Sequence, residues 1–110
     1  VGRAREEALG MIRRAAAKGY PEAVNRLGEM SEDGVFGDTE KTNAFGLYMK
    51  ATEKGHAEAM YNAGRMLVYG EGVPRNVDEG IKLLSMAAGK GVEEAAQLFR
   101  DIQKYGVDAL

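Results

Sequence analysis

The stretch AEAMYNAGRMLVYGEGVPRNVDEGIKLLSMAAGKG, from Ala57 to Gly91, holds two segments in which apolar residues recur at helical spacing, separated by a glycine-rich connection. These segments predict helices over about 57–69 and 76–90. Asn76 followed by Glu79 fits an N-cap with a capping-box partner. Gly91 fits a C-cap in which glycine adopts the left-handed conformation, and Lys90 faces the negative end of the helix dipole. The stretch therefore predicts two helices joined by a turn.

The end of this stretch recurs along the chain at an interval of 36 residues. Lys-Gly occurs at 18–19, 54–55 and 90–91, within AAAKGYPEA, ATEKGHAEA and AAGKGVEEA. A fixed period of this size indicates stacked repeats rather than one globular core. The columns identical in all three copies are Ala15/Ala51/Ala87, Lys18/Lys54/Lys90, Gly19/Gly55/Gly91, Glu22/Glu58/Glu94, Ala23/Ala59/Ala95 and Gly34/Gly70/Gly106.

Helical spacing and glycine-marked breaks predict six helices over the whole chain, at about 3–18, 22–33, 39–54, 57–69, 76–90 and 93–105. Pro21 suits the first turn of the second helix, where its missing N–H is not needed. Asp38 or Thr39 is expected to cap the third helix. Glycine is costly inside a helix, so the matched pairs Gly28/Gly64 and Gly10/Gly46 suggest close helix–helix approach.

The motifs of 57–91 resemble one unit of the Sel-1-like repeat family, which is related to tetratricopeptide repeats. They are Ala63-Gly64, Gly70-Glu71-Gly72-Val73 and Ala87-Ala88-Gly89-Lys90-Gly91. A second unit runs from Ala23 to Gly55. The resemblance implies an all-α fold, an α/α superhelix in which antiparallel helix pairs form a right-handed solenoid. It divides a single domain 1–110 into a half unit 1–19, full units 20–55 and 56–91, and a half unit or cap 92–110.

Two features depart from the family pattern. The loop GVFGDTEK lacks the second glycine before its valine. Arg100 occupies the column of Gly28 and Gly64, where a bare backbone would pack. Either Arg100 faces solvent, which favours a terminal cap, or the last helix is displaced.

The resemblance further implies that the first helix of each unit lines a concave, partner-binding groove. Steps of four and three residues lie on one helical stripe, which supports the grouping independently. The opposite stripe of the second helix, Ala23, Leu27 and Met30, is apolar and is expected to be core. Tyr61 and Arg65 are the favoured anchors, since both types are enriched among interface hot spots. The three groove columns are Asn25/Tyr61/Gln97, Glu29/Arg65/Asp101 and Glu32/Val68/Lys104.

Composition argues against several classes of function. The 110 residues carry a net charge of −2, no cysteine and one histidine, His56. A zinc site or thiol nucleophile therefore lacks ligands or partners, and we expect no catalytic residue, metal or cofactor. The basic residues of the first helix are interrupted by Glu6 and Glu7 and lack an aromatic stacking platform, so we expect no nucleic-acid binding. No apolar run is long enough to insert into a membrane. The sequence indicates no compartment.

The sequence thus favours a non-enzymatic scaffold or adaptor that binds a protein or peptide, whose identity it does not indicate. One alternative is a structural segment that self-associates through its chain-end helices. Another is hydrolysis, as linked to cysteine-rich relatives of the family, although this chain lacks their cysteines.

Overall fold

The computed structural model describes residues 2–35 and 41–109. Within these ranges the protein is helical and contains no strand, so the all-α prediction is confirmed. Every predicted helix end that falls within these ranges agrees with the structure to within one residue. The predicted start of the third helix at 39, the caps Asp38 and Thr39, and most of the loop GVFGDTEK lie outside them. The helices are α1 (Gly2–Ala17), α2 (Pro21–Glu32), α3 (Lys41–Glu53), α4 (Ala57–Tyr69), α5 (Val77–Gly89) and α6 (Glu93–Tyr105), followed by a 3-10 helix (Val107–Ala109).

The three Lys-Gly turns share one backbone geometry. The glycines have φ values of 85°, 83° and 97°, which confirms the predicted left-handed C-cap. Two residues after each lysine, a backbone N–H donates to the carbonyl of the conserved alanine in the last helical turn. The Gly column is therefore explained by turn closure, whereas the Ala column contributes only a backbone carbonyl, which every residue type carries. The bonds join Tyr20 to Ala15 at 3.3 Å, His56 to Ala51 at 3.1 Å and Val92 to Ala87 at 3.1 Å.

Asn76 caps α5, but only half of the predicted capping box forms. Its Oδ1 accepts a hydrogen bond from the Glu79 N–H at 3.2 Å, as predicted. Its own N–H donates to the carbonyl of Leu67 at 2.9 Å rather than to the Glu79 side chain. The Glu79 carboxylate instead lies 3.9 Å from Lys82 Nζ. The predicted bond from the Asn76 N–H to the Glu79 side chain is therefore wrong, because a backbone carbonyl of the preceding helix accepts from that N–H instead.

The chain divides into two compact units, Val1–His56 and Ala57–Leu110. In the first unit α2 packs against both α1 and α3, and in the second α5 packs against both α4 and α6. The core of the first unit includes Tyr48, whose side chain is fully buried. One hydrophobic cluster of the second unit draws on all three of its helices and consists of Met60, Val68, Leu84, Ala87, Ala95 and Ile102.

Close helix packing depends on glycines at matched positions of the two units. A Cβ on Gly28 would lie 2.7 Å from the Tyr48 ring, and a Cβ on Gly64 would lie 3.0 Å from the Gly80 carbonyl oxygen. The prediction of close approach is confirmed for these two positions.

The same prediction is wrong for Gly10 and Gly46. Around a Cβ at Gly46 no described atom lies within 4 Å, and a Cβ at Gly10 would meet only the guanidinium of Arg14 on its own helix. Matching register alone therefore does not imply a neighbouring helix.

The apolar stripe predicted on α2 is only partly core. Met30 is buried, whereas Ala23 and Leu27 are half-buried. The most buried side chains of α2 include Val24 and Asn25. The core prediction is thus confirmed for Met30 and wrong for the other two positions, because α2 lies between two helices and its buried face is turned by about one residue.

Candidate functional site

The α2 side chains of the predicted groove lie in three different environments. Asn25 is only 3% exposed and belongs to the interior of the first unit. Glu29 is half-buried, with its carboxylate 3.7 Å from Arg26 Nη1. Glu32 is half-buried and accepts a hydrogen bond from the Tyr48 hydroxyl at 2.7 Å. Since Tyr48 is fully buried, its hydroxyl fixes the Glu32 carboxylate at the edge of the core.

The α4 side chains of the groove range from half-buried to buried. Tyr61 packs against the hydrophobic cluster of the second unit while part of its side chain stays accessible. Arg65 is half-buried, and its Nη1 lies 4.0 Å from a carboxylate oxygen of Glu71 in the connection after α4. Val68 is only 2% exposed and is a member of the cluster itself.

The α6 side chains form the most exposed part of the predicted groove. Gln97 Nε2 donates to Asp101 Oδ1 at 2.9 Å, so these two predicted residues are in contact. Arg100 donates to Gln97 Oε1 at 2.9 Å and to Glu93 Oε1 at 3.2 Å. The exposure of Arg100 confirms the first of its two predicted placements. Lys104 Nζ lies 5.2 Å from the centroid of the Tyr105 ring.

The nine predicted groove residues thus differ in what they can offer a partner. Asn25 and Val68 have almost no accessible surface, with exposed fractions of 3% and 2%. The other seven are half-buried or exposed, and they lie on α2 in the first unit and on α4 and α6 in the second. Their assembly into one groove stays a prediction.

Sequence reasoning missed a groove bordered by all three helices of the first unit. It is open to solvent and has a volume of about 350 Å³, and we call it the α1–α3 groove. The 36-residue period could not reveal it, because its lining mixes residues from different columns. Its lining residues are Arg13, Ala16 and Ala17 of α1, Val24 and Leu27 of α2, and Leu47 and Lys50 of α3.

A lysine bond beside this groove was also missed. Lys54 Nζ donates to the Gly19 carbonyl at 2.7 Å and so ties the end of α3 to the turn between α1 and α2. The sequence signal was present, since both residues belong to fully conserved columns. The sequence analysis explained Lys54 and Gly19 only by the geometry of their own turns, and so it did not predict a bond between the two turns.

The second unit has a smaller, polar cavity of about 210 Å³ beside the 3-10 helix. Arg75 Nε donates to the Val68 carbonyl at 3.1 Å, and Arg75 Nη2 lies 3.6 Å from Asp108 Oδ1. This arrangement joins the connection before α5 to the residues after α6.

Among the described residues no group of three or more His, Cys, Asp or Glu side chains is placed to hold a metal ion. Of the helices that the structure describes, none has both the length and the apolar character needed to span a bilayer.

Comparison with known proteins gives a consistent result. The family model described as Sel1 repeat matches residues 21–56 and 57–92. A Sel1 repeat protein from Oxalobacter formigenes superimposes with a TM-score of 0.80 at 31% identity, over 87% of this chain and 72% of that one. No curated protein matches the sequence significantly.

A second solved structure is that of c5321, a protective antigen present in uropathogenic Escherichia coli strains that displays an SLR fold. It superimposes with a TM-score of 0.81 at 33% identity, over 86% of this chain. The matched region spans only 20% of that longer protein. Both structures support a helical repeat fold.

Proposed function

Because the chain belongs to the Sel1 repeat family, we propose that it is a scaffold or adaptor that binds a peptide or protein segment through the accessible side chains of α2, α4 and α6. The Sel1 fold is generally that of a protein–protein interaction module. The proposal adds which side chains make the contact. Those side chains are Glu29 and Glu32 on α2, Tyr61 and Arg65 on α4, and Gln97, Asp101 and Lys104 on α6.

The observation that carries this proposal is that several of these side chains are held in place by their own unit. The chain of hydrogen bonds from Arg100 through Gln97 to Asp101 orders the exposed face of α6. Tyr61 is held by its packing against the hydrophobic cluster. Side chains already ordered in the free protein lose little conformational entropy on binding, which favours affinity.

Tyr61 and Arg65 provide the strongest expected contacts of the second unit. Tyrosine and arginine are enriched among residues that dominate binding energy, mainly where the surroundings exclude water. Arg65 is half-buried, with its side chain 21% exposed, so a partner that covered it would desolvate it further. A carboxylate of the partner would then compete with Glu71 for this guanidinium.

The charges differ between the two units. On α2 the accessible groove residues are the two carboxylates Glu29 and Glu32, which favour a basic segment. On α4 and α6 the charges of Arg65, Asp101 and Lys104 alternate in sign, which favours a mixed segment. Charge patterns of this kind act mainly on specificity and association rate.

A peptide-display selection on the intact chain tests the proposal, with affinities of the selected peptides then measured by fluorescence anisotropy. Lys104→Glu and Glu29→Lys reverse exposed or half-buried charges within the proposed surface. Each should weaken binding by roughly fivefold, since exposed ion pairs are worth up to about 1 kcal/mol. Lys82→Glu on α5 makes the same charge change outside that surface and should have little effect.

Tyr61 requires a conservative variant, because its ring contributes to the core. Tyr61→Phe keeps the packing and removes only the hydroxyl, so a loss of affinity without a loss of helicity would assign a contact to that group. If the selected peptides bind all of these variants equally well, partner binding through this surface is refuted.

Self-association is a competing function, favoured by two exposed apolar side chains. Met11 on α1 is 63% exposed and Tyr105 at the end of α6 is 61% exposed. Sedimentation over a concentration series separates the two ideas. A mass that grows with concentration supports self-association, and a constant monomer mass supports a monomeric receptor.

A further inference from the structure

We propose that the α1–α3 groove is a second docking site, which takes an acidic peptide segment that carries an apolar anchor. None of the residues assigned to the proposed function lines this groove. The inference therefore stands on separate observations: the shape of the groove, the apolar character of its floor, the charge of its rim and the bond that fixes its walls.

The floor of the groove is apolar and its walls are helical. Val24 and Leu27 of α2 lie between Ala16 and Ala17 on one side and Leu47 on the other. Two consecutive alanines on α1 leave open space where larger side chains would fill the gap. The volume of about 350 Å³ falls in the range of about 300–1,000 Å³ that is typical of ligand pockets. A leucine- or phenylalanine-sized side chain can therefore enter it.

Positive charge borders this apolar floor on both walls. Arg13 on α1 and Lys50 on α3 line the groove, and both residues are exposed. Lys54 comes directly after the last residue of α3 and is also cationic. An entering segment with carboxylates beside its apolar anchor would place negative charge against both walls. A basic segment would meet like charges, which disfavours it.

The free protein already has one hydrogen bond that restrains the helices around the groove. The hydrogen bond of 2.7 Å from Lys54 Nζ to the Gly19 carbonyl joins α3 to the turn between α1 and α2. Gly19 admits this contact because a Cβ there would lie 2.6 Å from the lysine nitrogen. A groove whose walls are held in this way need not be reorganised on binding, which lowers the cost of association.

Three fluorescein-labelled peptides test the inference on the intact chain. The first carries two leucines one helical turn apart, flanked by glutamates. The second replaces the glutamates with lysines, and the third replaces the leucines with serines. We expect saturable binding of the first peptide alone by fluorescence anisotropy, and its affinity should fall as salt is added because the charges at the rim are exposed.

Variants of groove residues then test whether the acidic peptide binds in the α1–α3 groove. Ala17→Leu adds bulk at an exposed position and should weaken binding of the acidic peptide at least tenfold, by filling the space for the anchor. Lys50→Glu should weaken binding roughly fivefold by reversing one charge at the rim. Lys82→Glu, the same change on α5 of the second unit, should leave the affinity within about twofold of the wild type. Circular dichroism checks that each variant keeps its helicity, and Lys50→Glu decides the matter if Ala17→Leu does not fold.

Three results would overturn the inference. One is equal binding of the glutamate and lysine peptides, and another is an affinity that neither Ala17→Leu nor Lys50→Glu changes. The third comes from sedimentation without peptide. A dimer that Ala17→Leu abolishes would show that a second copy of the chain occupies the groove instead.

Discussion

Replacing Gly80 with alanine is expected to destabilise the second unit through a clash between α4 and α5. A Cβ at this position would lie 2.7 Å from Val68 Cγ2 and 2.8 Å from the carbonyl oxygen of Gly64. Both distances are shorter than side chains tolerate. The oxygen belongs to the backbone, so it cannot rotate away, and the two helices would have to separate.

The size of the effect follows from two opposing contributions. Overpacking a well-filled core costs typically about 1–3 kcal/mol, and the backbone contact places this site in the upper half of that range. Alanine in place of glycine inside a helix also stabilises the helix by about 1 kcal/mol, which opposes this cost. The free energy of unfolding should therefore fall by about 1–2 kcal/mol.

Urea unfolding followed by far-UV circular dichroism measures this change. Gly89→Ala is the matched control, because it makes the same substitution on the same helix at a site with no described atom within 4 Å. It should be neutral or slightly stabilising. Hydrogen exchange of the α4 and α5 amides shows whether the loss is confined to the second unit, since repeat units respond mainly to their neighbours.

A double-mutant cycle identifies the clashing atoms. In a Val68→Ala background the Cγ2 contact is gone, so Gly80→Ala should cost less than it does in the wild-type chain. Equal stability of Gly80→Ala and Gly89→Ala would refute the packing argument, and strict additivity with Val68→Ala would refute the role of that side chain.

The effects of substitutions at three further positions are predicted from the same structure. Gly46→Ala should stabilise the first unit by about 0.5–1 kcal/mol, seen as a higher melting temperature, because helix propensity acts there without a clash. Tyr48→Phe should lower the free energy of unfolding by about 1–2 kcal/mol in urea titrations, since the buried hydroxyl no longer donates to Glu32; an unchanged midpoint would mean that this bond contributes nothing. Asn76→Ala should cost about 1 kcal/mol through loss of the α5 cap, while Asn76→Asp should retain most of the stability; equal losses would argue against capping.

The turns and helices could be predicted from the sequence because their causes are local. Gly19, Gly55 and Gly91 adopt left-handed conformations that residues with a Cβ rarely adopt. The Asn76 cap is also local, because its side chain accepts a hydrogen bond from a backbone N–H three residues away. Each such feature needs only its own few residues, so the spacing of residue types reveals it.

Packing between helices was less predictable, because it depends on what the neighbouring helix presents. Gly28 and Gly46 look alike within one helix, yet Gly28 faces the Tyr48 ring and Gly46 faces open space. Likewise, the helical stripe predicted which side of α4 carries Val68, but it did not predict how completely that side chain is buried. The lining of the α1–α3 groove comes from three helices, so no single stripe could indicate it.

At equivalent positions, the two units use different residues where their paired helices pack together. Gly28 and Gly64 are equivalent, as are Ala44 and Gly80, and Glu32 and Val68. In the first unit Ala44 lies opposite Gly28. Glu32 accepts a hydrogen bond from the Tyr48 hydroxyl at the edge of the core. In the second unit Val68 lies against α5, and only a glycine leaves room for its Cγ2.

Gly80 is therefore matched to Val68, while neither position is identical between units. Among the columns that are identical in all copies, the Lys and Gly columns mark the turns, whose geometry every unit needs in the same form. The columns Ala44/Gly80 and Glu32/Val68 lie on paired helices and differ between the units. For this reason Gly80 escaped notice in the sequence although it occupies one of the tightest sites in the structure. A search for such sites in a repeat array should compare pairs of positions across its helix pairs instead of single columns.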